Sequence, residues 1–129
     1  MEAGQEFNFD FRVDEKVHGG FIKVFDDRNL LHVDDDYARS KGFSSKVMHG
    51  NILNGFLSRF VGELLPVKNT IIHSIGITYR KPCYLDDLLS LRATIEEVHE
   101  SVGVYLFKFS FSARDQVVAL GNLQIGLLA

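Results

Sequence analysis

Apolar positions recur along this chain with two different periods, and the change falls at Pro66. From His49 to Leu65 the large apolar residues are Ile52, Leu53, Phe56, Leu57, Phe60, Val61, Leu64 and Leu65, two adjacent rows with four-residue steps. That spacing predicts a long α-helix with a broad apolar face. Asn51, Asn54, Arg59 and Glu63 fall on the opposite edge, and the small residues Gly55, Ser58 and Gly62 run between the faces. A glycine inside a helix costs up to about 1 kcal/mol relative to alanine, so this pair points to a close approach to the backbone. Pro66 ends the helix.

Upstream, Phe7, Phe9, Phe11 and Val13 alternate with polar residues, the period of a half-buried strand. Asp14 stands where it can cap a short helix running to about Phe25, with Glu15 favourable to the dipole of its first turn. Val17, Phe21, Ile22 and Phe25 form the apolar side of that helix. Asp26 to Leu31 reads as irregular, Asp34 to Lys41 as a second short helix ending at Gly42, and Phe43 to Met48 as a connector. After Pro66, Thr70–Arg80, Leu88–Val98, Val102–Ala113 and Val117–Leu128 are rich in β-branched and aromatic residues and predict four long strands. In the third, Val102, Val104, Leu106, Phe109 and Phe111 form the apolar row, with a phase slip near Lys108 that predicts a bulge. His99–Ser101 and Arg114–Gln116 are short enough for hairpin turns, and Lys81–Asp87, with Pro82, is a longer turn.

A strand, then helices, then four antiparallel strands is an α+β order, with one sheet curling around the long helix. No repeat or linker divides residues 1–129, so one domain is expected. An open sheet leaves an edge, and pairing with a second copy, a homodimer, is the simplest way to satisfy it.

Composition narrows the function classes. A chain of 129 residues with 46% apolar content buries roughly two-thirds of its unfolded surface. It holds no apolar run long enough for a membrane span, and the acidic MEAGQEFNFDF start does not resemble a secretion signal. The single cysteine, Cys83, allows no internal disulfide, and these features together favour a cytoplasmic protein. A net charge of −3 offers nothing to nucleic acid, so an anionic ligand must meet a local patch. Arg39/Lys41/Lys46 and Arg80/Lys81 are such patches, or else solvated surface charge.

Asp27 and His32 stand five residues apart in DDRNLLH. A carboxylate and an imidazole on one loop can hold a water and act as acid or base near neutral pH. The alternative is an Asx-type turn around Asn29 followed by a solvent-exposed histidine. His49-Gly50 opens the long helix, where unpaired N–H groups can polarise a carbonyl oxygen and glycine leaves it room. The alternative is that Gly50 only relieves crowding. His73 reads as a packed or hydrogen-bonded core histidine, and His18 and His99 as surface residues. No two histidines have a convincing ligand spacing and Cys83 has no thiol partner, so neither a metal nor a cofactor is expected.

The segment DDRNLLHVDDDYARSKGFSSKVMHGNIL resembles the signature of the MaoC-like (R)-specific enoyl-CoA hydratases, which have the hot-dog fold. Asp27, Asn29, Leu31 and His32 match its first part, and Ala38, Phe43, Val47, His49 and Gly50 its second. ITYRKPCYLDD resembles a later strand and turn of that family through Pro82 and Asp87. Two positions depart: Leu30 stands where the family has proline, and Asp86 where it has glycine.

The resemblance implies hydration of a trans-2-enoyl thioester, carried by CoA or an acyl carrier protein, to an (R)-3-hydroxyacyl thioester. Asp27 and His32 would hold and deprotonate the water, and Gly50 N–H would bind the thioester oxygen. Asn29, His49 and Ser58 would support or line the site, with the acyl chain passing Phe56, Phe60 or Val61. Lys46, Arg80 or Lys81 would receive phosphates. Two other readings remain: a hot-dog thioesterase, for which Glu63 is the only carboxylate on the helix, and a non-catalytic acyl-binding scaffold.

Overall fold

The computed structural model describes residues 1–129. Its elements are β1 (Glu6–Arg12), α1 (Glu15–Phe25), α2 (Leu30–Val33), α3 (Asp35–Ser40), α4 (Asn51–Arg59), a π-helical turn (Phe60–Leu64), β2 (Thr70–Tyr79), β3 (Leu88–His99), a 3-10 turn (Glu100–Val102), β4 (Val104–Ala113) and β5 (Gln116–Leu127). The strands make one antiparallel, curved sheet in the order β1-β3-β4-β5-β2, the arrangement of a hot-dog fold. β1 and β2 are therefore its edges.

α4 lies against the inner face of the sheet. Ile52, Leu53 and Leu57 of α4, with Phe60 and Val61 beyond it, are buried against Leu89, Leu91, Ile95, Phe107, Phe109, Phe111, Leu123 and Ile125. Removing this apolar surface from water is the main force that docks helix and sheet. Phe60 is the centre of the packing: it has no exposed surface, and the rings of Phe7, Phe9 and Phe107 stand 5.8, 5.9 and 5.8 Å from it.

Expected features are modified in three places. The long helix begins at Asn51, and its last turn widens, closed by Leu65 N–H donating to Phe60 O at 3.1 Å. The wider turn accommodates Phe60, Val61 and Leu65, none more than 2% exposed. The segment expected to be irregular contains α2, because the Asn29 side chain accepts from Leu31 N–H at 3.0 Å and starts a helical turn. One turn is too short to leave a periodicity in the sequence. Finally, β4 has no bulge at Lys108: Phe107, Phe109 and Phe111 face the core without a break, Leu106 lies on the other side, and Val102 sits outside the strand. Register shifts occur instead between Ile72 and Ser74, between Ile95 and Glu97, and opposite Phe111–Ser112.

The caps and turns otherwise form as expected. Asp14 accepts from Val17 N–H at 3.0 Å and Asp34 from Tyr37 N–H at 2.9 Å, starting α1 and α3. Asp86 takes the left-handed conformation (φ 69°), and its N–H donates to Val13 O at 2.7 Å. Arg114 and Asp115 both have positive φ (52° and 59°), as a tight β4–β5 hairpin requires.

Two histidines are not where the sequence places them. His18 is the one buried residue of α1, 3% exposed, rather than a surface residue. His73 is exposed at the register shift in β2 rather than in the core, where its Nδ1 accepts from Gln124 at 3.0 Å.

Phe60→Ala should destabilise the fold by about 3–5 kcal/mol, the cost of deleting a fully buried ring. Urea unfolding of both proteins at one concentration measures this, and a change below about 1 kcal/mol would mean that the core collapses around the void.

Candidate active site

The site forms where the ends of α1, α2 and α4 converge. Asp26 closes α1 in the left-handed conformation (φ 58°), its N–H donating to Ile22 O at 2.8 Å, and Asp27 follows directly. The Asp27 carboxylate accepts from Asn29 N–H at 3.2 Å. His32, on α2, places Nδ1 2.7 Å from Val47 O. A carbonyl only accepts, so Nδ1 carries the proton and the neutral ring keeps its lone pair on Nε2. His49 binds in the same way, with Nε2–H donating to Asp27 O at 2.9 Å.

The His32 and His49 rings stack with centroids 4.0 Å apart and planes 30° apart. One donor atom from each of Asp27, His32 and His49 lies within 4.8 Å of the others. A group of this composition has the ligand types of a metal site, and the same carboxylate and imidazoles can also hold a water and exchange a proton.

His49 is 2% exposed. Burial pushes its pKa below the ordinary 6.5, and His32 and His18 push the same way, outweighing the bond to the Asp27 carbonyl and the Asp27 charge. The imidazole beside the pair is therefore held neutral.

Gly50 caps α4, and its N–H donates to no group in the chain. A Cβ on Gly50 would stand 2.8 Å from the end of the Tyr79 ring, so a larger residue there must displace that half-exposed side chain. Space on the Cβ side is thus filled by Tyr79, and an incoming oxygen must approach along the N–H. Burial raises the Tyr79 pKa, keeping its hydroxyl protonated.

Two adjoining cavities meet at Phe21, Asp27 and Asn51. One, about 530 Å³, is lined by Asp27, His32, His49, Gly50, Tyr79, Arg80, Lys81 and Cys83 among others. The other, about 830 Å³, is a mainly apolar groove between α1 and α4 that includes Val17, Phe21, Val24, Phe25, Phe56 and Arg59. Cys83 is buried, which pushes its thiol up to about 11 and leaves it unreactive.

Six residues singled out from the sequence, Asp27, His32, His49, Gly50, Arg80 and Lys81, share the smaller cavity, and Phe56 lines the groove. The others lie elsewhere. Asn29 is spent on capping α2, Val61 and Phe60 are in the core, Ser58 is exposed outside both cavities, and Lys46 lines neither, its N–H bonded to Asp35 at 2.9 Å. Glu63 is exposed and lines neither cavity, so the long helix offers them no carboxylate. Tyr79 and Phe21 were not anticipated at the site. Phe21 stacks on His49 at 4.5 Å; on the sequence it is one apolar residue of α1 like its neighbours.

No family model matches the chain. Among curated proteins it is 24% identical over 125 residues to an (R)-specific enoyl-CoA hydratase of Rhodospirillum rubrum, spanning 97% of this chain and 87% of the relative. It is 30% identical over 112 residues to a mitochondrial 3-hydroxyacyl-[acyl-carrier-protein] dehydratase of Arabidopsis thaliana, spanning 84% of this chain and 66% of that one. Among solved structures, the (R)-hydratase of Aeromonas caviae superposes with a TM-score of 0.90 at 20% identity, over 99% of this chain and 98% of that one. The chain's curated relatives are thus (R)-specific enoyl-CoA hydratases and hydroxyacyl dehydratases, and its structural neighbours include MaoC-like dehydratases with the hot-dog fold. The motif positions Asp27, His32, His49 and Gly50 fall around one cavity.

The neutral His49 makes stability depend on pH. Its folded pKa lies below 6.5, so the unfolded chain binds a proton that the fold resists. The contribution is fully present above 6.5 and lost as pH falls through the folded value. Melting temperature should drop between about pH 7.5 and about pH 5, and His49→Gln should flatten that slope. An unchanged slope in the variant would place the titration on another group.

Proposed function

We propose that this protein adds water reversibly across the C2–C3 double bond of a trans-2-enoyl thioester, giving an (R)-3-hydroxyacyl thioester. The observation that carries this reading is a carboxylate (Asp27) and an imidazole lone pair (His32 Nε2) on the same cavity as an unpaired helix-start N–H, that of Gly50. A water held between Asp27 and His32 Nε2 loses a proton to the pair as its oxygen bonds to C3. The π electrons move to the thioester oxygen, where Gly50 N–H and the α4 dipole stabilise the enolate. The pair then returns a proton to C2 from the same side, so H and OH add across one face. The (R) outcome is taken from relatives named (R)-specific.

The apolar groove past Phe56 would take the acyl chain. Arg80 and Lys81 are exposed, form no ion pair within the chain, and stand on the cavity wall where phosphates of a CoA or carrier-protein thioester would lie. The absence of a helix carboxylate at either cavity weighs against thioester hydrolysis as the alternative.

The unpaired β2 edge and the exposed Gly55, Ser58 and Gly62 strip on the helix suit pairing with a second copy. Light scattering should therefore give twice the 14.6 kDa chain mass, and a monomer at micromolar concentration would count against the dimer.

The reaction is tested with crotonyl-CoA by following loss of enoyl absorbance. Asp27→Asn and His32→Ala should each lower kcat by about 10²–10⁴-fold, and the double variant little further, since groups acting as a unit are not additive. His32→Ala also removes the bond to Val47 O and should cost about 0.5–1.5 kcal/mol of stability. A scaffold would show no turnover to lose, and a fully active Asp27→Asn enzyme would sink the assignment.

A further inference from the structure

The segment Asp27–His32 has no proline, and its exposed residues Asp27, Arg28, Asn29 and Leu30 gain no rigidity from burial. It is held instead by side-chain donors aimed at its carbonyls. His49 Nε2–H binds Asp27 O at one end, and His18 Nε2–H binds His32 O at 2.9 Å at the other. Leu31 O accepts from Val47 N–H at 2.9 Å between them. The His18 ring packs 5.7 Å from that of His49, so three imidazoles stand in a row beneath the loop.

His18 differs from the other two. It is 3% exposed and lines neither cavity, so it cannot reach a bound thioester. Its Nδ1 has no hydrogen-bond partner, the Glu15 carboxylate being 4.0 Å away. A purely packing role would be filled better by leucine, which buries no unpaired nitrogen. What histidine adds at this position is one N–H, and it is spent on the carbonyl of the residue whose ring faces the cavity.

We propose that His18 is a positioning residue for His32. Fixing His32 O fixes the α2 turn, and with it the direction of the His32 ring between Val47 O and the cavity. This rests on the hydratase reading only for its kinetic readout; the hydrogen bond and its effect on α2 do not depend on which reaction the site performs.

The test compares His18→Leu, which keeps the bulk and removes the donor, with His18→Gln, whose amide N–H has similar reach. In the leucine variant kcat for crotonyl-CoA should fall about tenfold to a hundredfold while KM changes less than about threefold, the pattern of a displaced reacting group rather than lost binding. Amide exchange at His32 and Asp34, whose N–H groups close the α2 turn onto Asn29 O and Leu30 O, should speed up at least about tenfold. Glutamine should bring both back to within about threefold of the native protein. Native kcat and native protection in the leucine variant would overturn the proposal, and so would losses that glutamine does not repair. If the native protein turns over no enoyl thioester, the hydratase reading fails, and exchange at His32 and Asp34 alone decides the role of His18.

Discussion

Burial of α4 and its π-helical end in the hollow of the sheet is the constraint on which the rest of this molecule depends. The sheet has no other large apolar partner for its inner face, and α4 has no other place for Ile52, Leu53, Leu57, Phe60 and Val61. Once these side chains interlock with Phe107, Phe109 and Phe111, the start of the helix is fixed in space. Gly50 is then held against Tyr79 on β2, and His49 is driven inward against Phe21 and His32. Packing energy spent far from the chemistry thereby fixes the position of the groups that line the cavity.

The loop that carries Asp27 and His32 is organised differently, by polar contacts. Its residues are largely exposed, yet its carbonyls at Asp27, Leu31 and His32 each accept a bond, from His49 just before α4, from Val47 of the connector and from His18 of α1. The two bonds made by imidazoles also decide which nitrogen of each ring holds the proton. His32 is left with Nε2 free because Nδ1 is committed to Val47 O. His49 stays neutral because its burial outweighs the carbonyl and carboxylate that would favour its charge.

The two departures from the family motif are absorbed locally. Asp86 adopts the left-handed turn that glycine would provide, and the turn is tied by Asp87, which accepts from Tyr84 N–H at 2.8 Å and pairs with Arg114. Leu30 occupies the first position of α2, where proline would be preorganised but where any residue can begin a helix. The Asn29 cap and the Asp34 N–H bond to Leu30 O, at 2.9 Å, close the turn without it.

The element types and their order were legible in the sequence because they follow from local periods and caps. Asp14 before an apolar run, Asp34 before a short one and alternation after Pro66 each act within a few residues. The DDRNLLH and MHGN motifs likewise marked Asp27, His32, His49 and Gly50. What the sequence left open rests on partners far along the chain. His49 meets Asp27 across 22 residues and His18 meets His32 across 14, so no local window could show that His18 is buried or which ring nitrogens are bonded. Val61 fell in the core rather than beside the groove, and Ser58 outside both cavities, because the sheet chose which face of the helix to cover. Periodicity defines a face; only packing against a second element decides what that face meets.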